Sequence, residues 1–477
     1  MNLLAAARQE MIDHGFDPDY PPGTREQIEE IRAHPVQNGA RDLRNLLWSS
    51  IDNDTSRDLD QAEVAERDAE GIKVMVAVAD VSSAVERNTP IDRHACQQTT
   101  SVYTGIKVFS MLPEELSTGL TSLNENEDRY AMVVEFVATP DGEIRHPAIY
   151  RALIRNHAQL AYNSTGAWLE GSGEAPEKIA SNQELAAQLK LQSEAANHLC
   201  EARHRRGALD FDRVEAEAVI SGGDVRDLKI RRRNLATQLI EDFMIAANEV
   251  MAQTLAKNGC SSIRRVVQSP ERWPRIVALA TQHGTKLPPT PDSAALNGFL
   301  QKLRQEDGDH YEDISLAIIK LMGPGEYVFA RADEAPGHFA LAVLDYTHST
   351  APNRRFADVV TQRLIQSVLA RESAPYLNSD LASIAANCTL KEDAARKVER
   401  KMGKRLAAVA LSHRIGEAFR GVVTGVTPKG TFVRIMNPPA EGILMRAEGV
   451  DVGDTIRVKL VSTNPQKGYI DFALERP

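Results

Sequence analysis

Five carboxylates fall within twelve residues of this chain: Asp52, Asp54, Asp58, Asp60 and Glu63. Like charges this close repel strongly at low dielectric, so they either fan out into water or neutralise themselves on a divalent cation. A calcium loop is one reading, because Asp52, Asp54, Ser56, Asp58, Asp60 and Glu63 stand at its ligand positions. Such a loop turns sharply on a glycine at its sixth position, and here that residue is Arg57. The far flank disagrees too: Ile72-Lys73-Val74-Met75-Val76-Ala77-Val78-Ala79 is apolar and β-branched, the pattern of a buried strand where calcium needs a helix. A catalytic cation site has a clearer logic, with a solvated acidic loop as the plain alternative. Magnesium takes one or two carboxylates plus phosphate and water, and a pair of such ions activates a water and stabilises the leaving oxygen of a phosphodiester. A guanidinium helps such chemistry, so an arginine is expected elsewhere.

It stands in Tyr346-Thr347-His348-Ser349-Thr350-Ala351-Pro352-Asn353-Arg354-Arg355-Phe356-Ala357-Asp358. Between the two segments lie Ser101-Val102-Tyr103, Met111-Leu112-Pro113-Glu114-Glu115-Leu116-Ser117 and Thr121-Ser122-Leu123-Asn124 followed by Asp128-Arg129. Together and in this order, these blocks resemble the RNase II and RNase R family of 3′-to-5′ exoribonucleases, from about Leu47 to about Ala370. The resemblance implies that Asp52, Asp58 and Asp60 hold magnesium and that Arg354 meets the scissile phosphate, with Asp60 and Arg354 as the catalytic pair. Where the family usually has two adjacent aspartates, Asp60 is followed by Gln61. A glutamine carbonyl can still coordinate a hard cation but brings no charge and cannot act as a base; Asp54 or Glu63 could compensate. Tyr103 matches a tyrosine that packs on a nucleotide near the 3′ end, and Phe211 resembles its aromatic partner. Stacking of this kind holds any base. Glu241 is a candidate for gripping the terminal nucleotide and Arg355 for contacting RNA, whereas His348 reads as structural, since two-metal hydrolysis needs no histidine.

The elements that must position these residues are partly visible in the pattern. Thr237 to Asn248 carries apolar residues at helical spacing around Glu241 and Asp242. Pro352 fits the first turn of a helix, so Asn353, Arg354 and Arg355 are expected to open one, its amide groups favouring phosphate. Asn2 to His14 and Thr24 to Ala33 read as two short helices around the turn-rich Phe16 to Gly23. Cold-shock barrels, common at the front of the family, do not fit there; a helix-turn-helix unit or a docking extension does. After Arg414 the pattern becomes five short strands, including Ala418 to Val426, Gly430 to Ile435, Thr455 to Ser462 and Gly468 to Ala473. With the Gly430-Thr431-Phe432-Val433 turn and Gly453-Asp454, this resembles an S1 domain, an RNA-binding OB barrel in which Phe419 and Phe432 either stack on bases or pack the core.

The resulting expectation is an α+β chain: a helical segment at 1–42, an RNB-type catalytic domain at 43–410 and an S1 barrel of OB fold at 415–477. Its 477 residues, 42% of them hydrophobic, can bury a large core. Cys96, Cys200, Cys260 and Cys388 lack the spacing of a zinc site or a disulfide framework, which fits a reducing cytoplasm. No leader or membrane-spanning run is evident, and a monomer is expected. The net charge of −10 is locally reversed at Arg203, Arg205 and Arg206, at Lys229, Arg231, Arg232 and Arg233, and at Lys397, Arg400, Lys401, Lys404 and Arg405. These groups are expected to guide a phosphate backbone. The function implied is magnesium-dependent, processive hydrolysis of single-stranded RNA from its 3′ end to nucleoside 5′-monophosphates. The alternatives are an RNA-binding regulator weakened through Gln61, or an endonuclease with an open groove.

Overall fold

The computed structural model describes residues 2–34, 39–211, 215–221, 224–306, 308–428, 430–445, 449–450 and 454–475. Its central element is a six-stranded sheet of β1 (Arg41–Asp42), β2 (Trp48–Asp52), β3 (Gln61–Asp68), β4 (Gly71–Ala79), β7 (Asp128–Ala138) and β8 (Ile144–Ala161), with β5 (Val102–Tyr103) and β6 (Val108–Phe109) forming a separate ribbon. The order is β1-β8-β2-β3-β4-β7, and β8 pairs with β7 as well. Eighteen residues make β8 long enough for this: Ile144 to Arg155 runs antiparallel to β7, and Asn156 to Ala161 runs parallel to β2. The sheet thereby curls back on itself. The apolar run of β4 is buried throughout from Val74 to Ala79, as a strand covered on both faces requires.

Helices cover this sheet. Gln183–Arg205 starts where the Asn182 side chain accepts from the Leu185 amide at 3.0 Å, and Leu235–Lys257 starts at a reciprocal cap between Asn234 and Thr237. The second contains the helix expected around Glu241. At the front, α1 (Leu3–Asp13) and α2 (Thr24–Ala33) lie where two short helices were expected.

The helix expected to open at Asn353 begins instead at Phe356 and runs to Ala370. Residues 352–354 form a turn, because the Asn353 amide is drawn away to Asp60 while the amides of Arg354 and Arg355 both return to the Ala351 carbonyl. A long helix, Asn378–Ala410, then leads to the terminal barrel. The barrel closes from Ala418–Thr427, Gly430–Met436, Pro439–Met445, Thr455–Asn464 and Tyr469–Leu474. Its closure is tight at Gly442, where an added Cβ would lie 2.4 Å from the Ile470 carbonyl oxygen. The helix end enters the same core, in which Leu406, Ala408 and Leu411 pack with Val433, Leu460 and Phe472, and so does Leu3. Gly453 of the expected Gly453-Asp454 pair lies outside the described residues. Among those described, no helix is long and apolar enough to cross a membrane, and all four cysteines are free thiols.

Candidate active site

The acidic segment is the connection from β2 to β3, and three distant pieces of chain hold its shape. Ser122 donates its hydroxyl to the Arg57 carbonyl at 2.8 Å and accepts from the Leu59 amide at 2.9 Å. The Leu123 amide donates to the Leu59 carbonyl at 2.9 Å, and Arg129 Nε braces Ser122 through its carbonyl at 3.0 Å. The Thr121-Ser122-Leu123 block is thus a scaffold for the carboxylates.

The arginine turn is fastened to both neighbours. The Asn353 amide donates to Asp60 Oδ1 at 2.9 Å, and Asn353 Oδ1 accepts from the Thr121 hydroxyl at 2.6 Å. The Ser101 amide donates to the Arg354 carbonyl at 3.0 Å, and the Phe356 amide to the Thr99 carbonyl at 2.8 Å. These bonds bring Tyr103 in beside the loop. Its hydroxyl donates to Asp58 Oδ2 at 3.2 Å, the residue as a whole is 41% exposed, and its amide donates to Glu399 of the long helix at 2.9 Å. Arg354 lies with Nε 3.6 Å from Asp60 Oδ2, and its side chain is 45% exposed. It is a tethered guanidinium open to a ligand.

The electrostatics favour a cation. Burial pushes the Asp60 carboxyl up to about 7, against the opposing pull of Arg354 and the Asn353 amide. Burial raises Asp52 as well, although its Oδ1 accepts from Ser56 and from the Asn53 amide, each at 2.7 Å. Gln61 turns Nε2 to the Ile51 carbonyl at 3.2 Å, which leaves its buried Oε1 without a partner. Buried carboxylates and an orphaned carbonyl oxygen in one segment are ligand types that suit a hard divalent ion. Among the described residues no three His, Cys, Asp or Glu side chains converge into a ready-made cage.

Phe211 and Glu241 lie elsewhere, on a cavity of about 930 Å3 between the catalytic unit and the barrel. Arg233, His338 and Tyr346 line it too, and Arg434 and Met436 reach it from the barrel. Glu241 pairs with Arg233 at 3.0 Å, and neighbouring Asp242 forms a buried ion pair with Arg203. His348 also lines this cavity, with Nδ1 2.8 Å from the Tyr327 hydroxyl; burial and nearby Arg355 hold its imidazole well below the usual range.

Two residues considered for RNA contact are engaged internally in this structure. Arg355 is committed to Asp358 through bonds of 2.9 and 2.7 Å, with only 19% of its side chain exposed, because it closes the turn that presents Arg354. Phe419 is buried in the barrel core with its ring edge-on to Phe472, since strand alternation points Phe419 and Val423 inward. Phe432, on the opposite phase to Val433 and Ile435, is half-buried. The basic groups are also largely used internally: Lys401 and Arg405 bind Glu10 of α1 at 3.0 and 2.8 Å, and Arg205 donates to the Asp141 carbonyl at 2.5 Å. The side chains of Lys229 and Arg231 lie outside the described residues. Glu399 and the Ser122 brace escaped the sequence reading; the first sits in a charge-rich helix with nothing to mark it.

The sequence matches the RNB domain model over residues 40–371. The chain belongs to the RNB family. Residues 417–475 match the RNase II-type exonuclease C-terminal S1 domain. Ribonuclease R 1 of Lactococcus lactis is 29% identical over 491 residues, which cover 95% of this chain and 59% of that protein. The chain therefore spans about three-fifths of the length of this curated relative. Among solved structures, Mycoplasma genitalium RNase R in complex with ribose-methylated single-stranded RNA shares this RNB fold with a TM-score of 0.89 at 23% identity, over 99% of this chain and 78% of the other. Yeast Ssd1, a pseudonuclease, shares it with a TM-score of 0.65 at 18% identity, over 86% of this chain and 51% of the other.

Proposed function

We propose that this RNB protein is a 3′-to-5′ exoribonuclease that hydrolyses single-stranded RNA processively to nucleoside 5′-monophosphates with magnesium. The observation that carries this reading is the convergence of Asp58, Asp60, Arg354 and Tyr103, three sequence segments fastened into one site. Asp52, Asp58, Asp60 and the Gln61 carbonyl would hold Mg2+, which supplies Lewis acidity at the scissile phosphodiester when bound. Arg354 offsets charge developing on the phosphate. Tyr103 stacks on a base close to the reacting bond, while Phe211 and Glu241 receive RNA where it passes through the cavity. In this scheme residues 43–410 carry catalysis, 415–477 add RNA affinity through the barrel, and a monomer in a reducing cytoplasm fits the free thiols.

Gln61 favours one second reading, a regulator that binds RNA without cutting it. A time course on a 5′-labelled unstructured oligoribonucleotide, with and without magnesium and beside DNA of the same sequence, separates the two. Stepwise, metal-dependent shortening of RNA alone is expected; tight binding without shortening sinks the enzyme.

A further inference from the structure

We propose that Glu63 supplies the cation site with the negative charge that Gln61 lacks. This rests on the exonuclease reading and deepens it. Gln61 and Glu63 are two residues apart on β3, so their side chains share a face. Ser49 of β2 stands directly opposite Glu63, and such pairs bring Cβ atoms within about 5 Å. Nearer the acidic segment, the Ile51 carbonyl of β2 holds the Gln61 side-chain nitrogen at 3.2 Å. The side chain is thereby fixed with its oxygen free.

Four oxygens on this face are then buried without a partner: Ser49 Oγ, Gln61 Oε1, Glu63 Oε1 and Glu63 Oε2. Glu63 itself is fully enclosed. Asp52, the residue after Ile51, ends β2. Native interiors leave few polar atoms unpaired, and an ionised carboxylate beside an amide oxygen and a hydroxyl calls for a positive partner. A hard cation satisfies carbonyl, carboxylate and hydroxyl oxygens at once. Gln61 brings no charge to this face, and Glu63 supplies one two residues further along the same strand.

The test is Mn2+ binding to the RNA-free full chain, followed by electron paramagnetic resonance. Glu63→Gln keeps size and should lower Mn2+ affinity about tenfold or more. Adding Gln61→Asp to that variant returns the charge to the other position and should recover most of the loss. Unchanged affinity in Glu63→Gln, or no Mn2+ uptake by the native chain, overturns the proposal. Should Glu63→Gln not fold, Gln61→Asp alone answers the question: little gain is expected where Glu63 already serves, and a gain of about tenfold or more speaks against it. RNA shortening by the same samples separates the readings. Native protein that shortens RNA while Glu63→Gln retains Mn2+ defeats only this inference; protein that binds Mn2+ through Glu63 yet never shortens RNA defeats only the exonuclease.

Discussion

Arg354 is held by its backbone and free at its head. Its carbonyl takes the Ser101 amide and the preceding amide is fastened to Asp60, while the guanidinium stays 45% exposed beside that carboxylate. Such a group adds little to stability, because an exposed ion pair contributes at most about 1 kcal/mol. Its worth lies in meeting charge that appears during reaction. Arg354→Ala should therefore lower kcat by roughly a hundredfold or more with little change in affinity for an uncleavable RNA. Equal losses in binding and rate, from single-turnover kinetics beside a binding titration, would make Arg354 a positioning residue instead.

At the scale of elements, the turn before the helix Phe356–Ala370 depends on Asp358. That carboxylate is fully enclosed, pairs with Arg355 and also accepts from the Ala351 amide at 2.8 Å. Removing one partner of a buried pair leaves the other uncompensated, so Asp358→Asn should cost about 3–5 kcal/mol and loosen the turn that carries Arg354. Denaturant unfolding together with kcat checks this; a drop in neither contradicts it. The same turn marks the limit of what the sequence displays. The buried strand β4, the helix around Glu241 and most barrel strands were legible, because each writes its own period into a short stretch. The helix start was not, since the Asn353 amide goes to a carboxylate 293 residues away. Nor was the Tyr103 tether, which spans 296 residues to Glu399. Phe419 could have been read as inward-facing, because it falls in phase with Val423 on one strand. Its aromatic type left base stacking and core packing open, and its phase places it in the core.

Across the whole molecule, α1 works as a clamp on the long helix. Glu10 is buried against Lys401 and Arg405, and Lys391 donates to the Gly15 carbonyl beyond the end of α1. Glu10→Ala should therefore lower hydrogen-exchange protection of the α1 amides by about ten- to a hundredfold while leaving β4 unchanged. Equal protection in both proteins would mean that apolar packing alone holds α1. Leu3 at the start of that clamp and Leu406 to Leu411 at the end of the long helix share one core with the barrel. The barrel is consequently not an interchangeable bead on a string. A foreign S1 domain spliced in at residue 415 would meet part of an interior shaped for another barrel, and a successful graft must carry with it the last turns of the helix and the apolar side chain at Leu3.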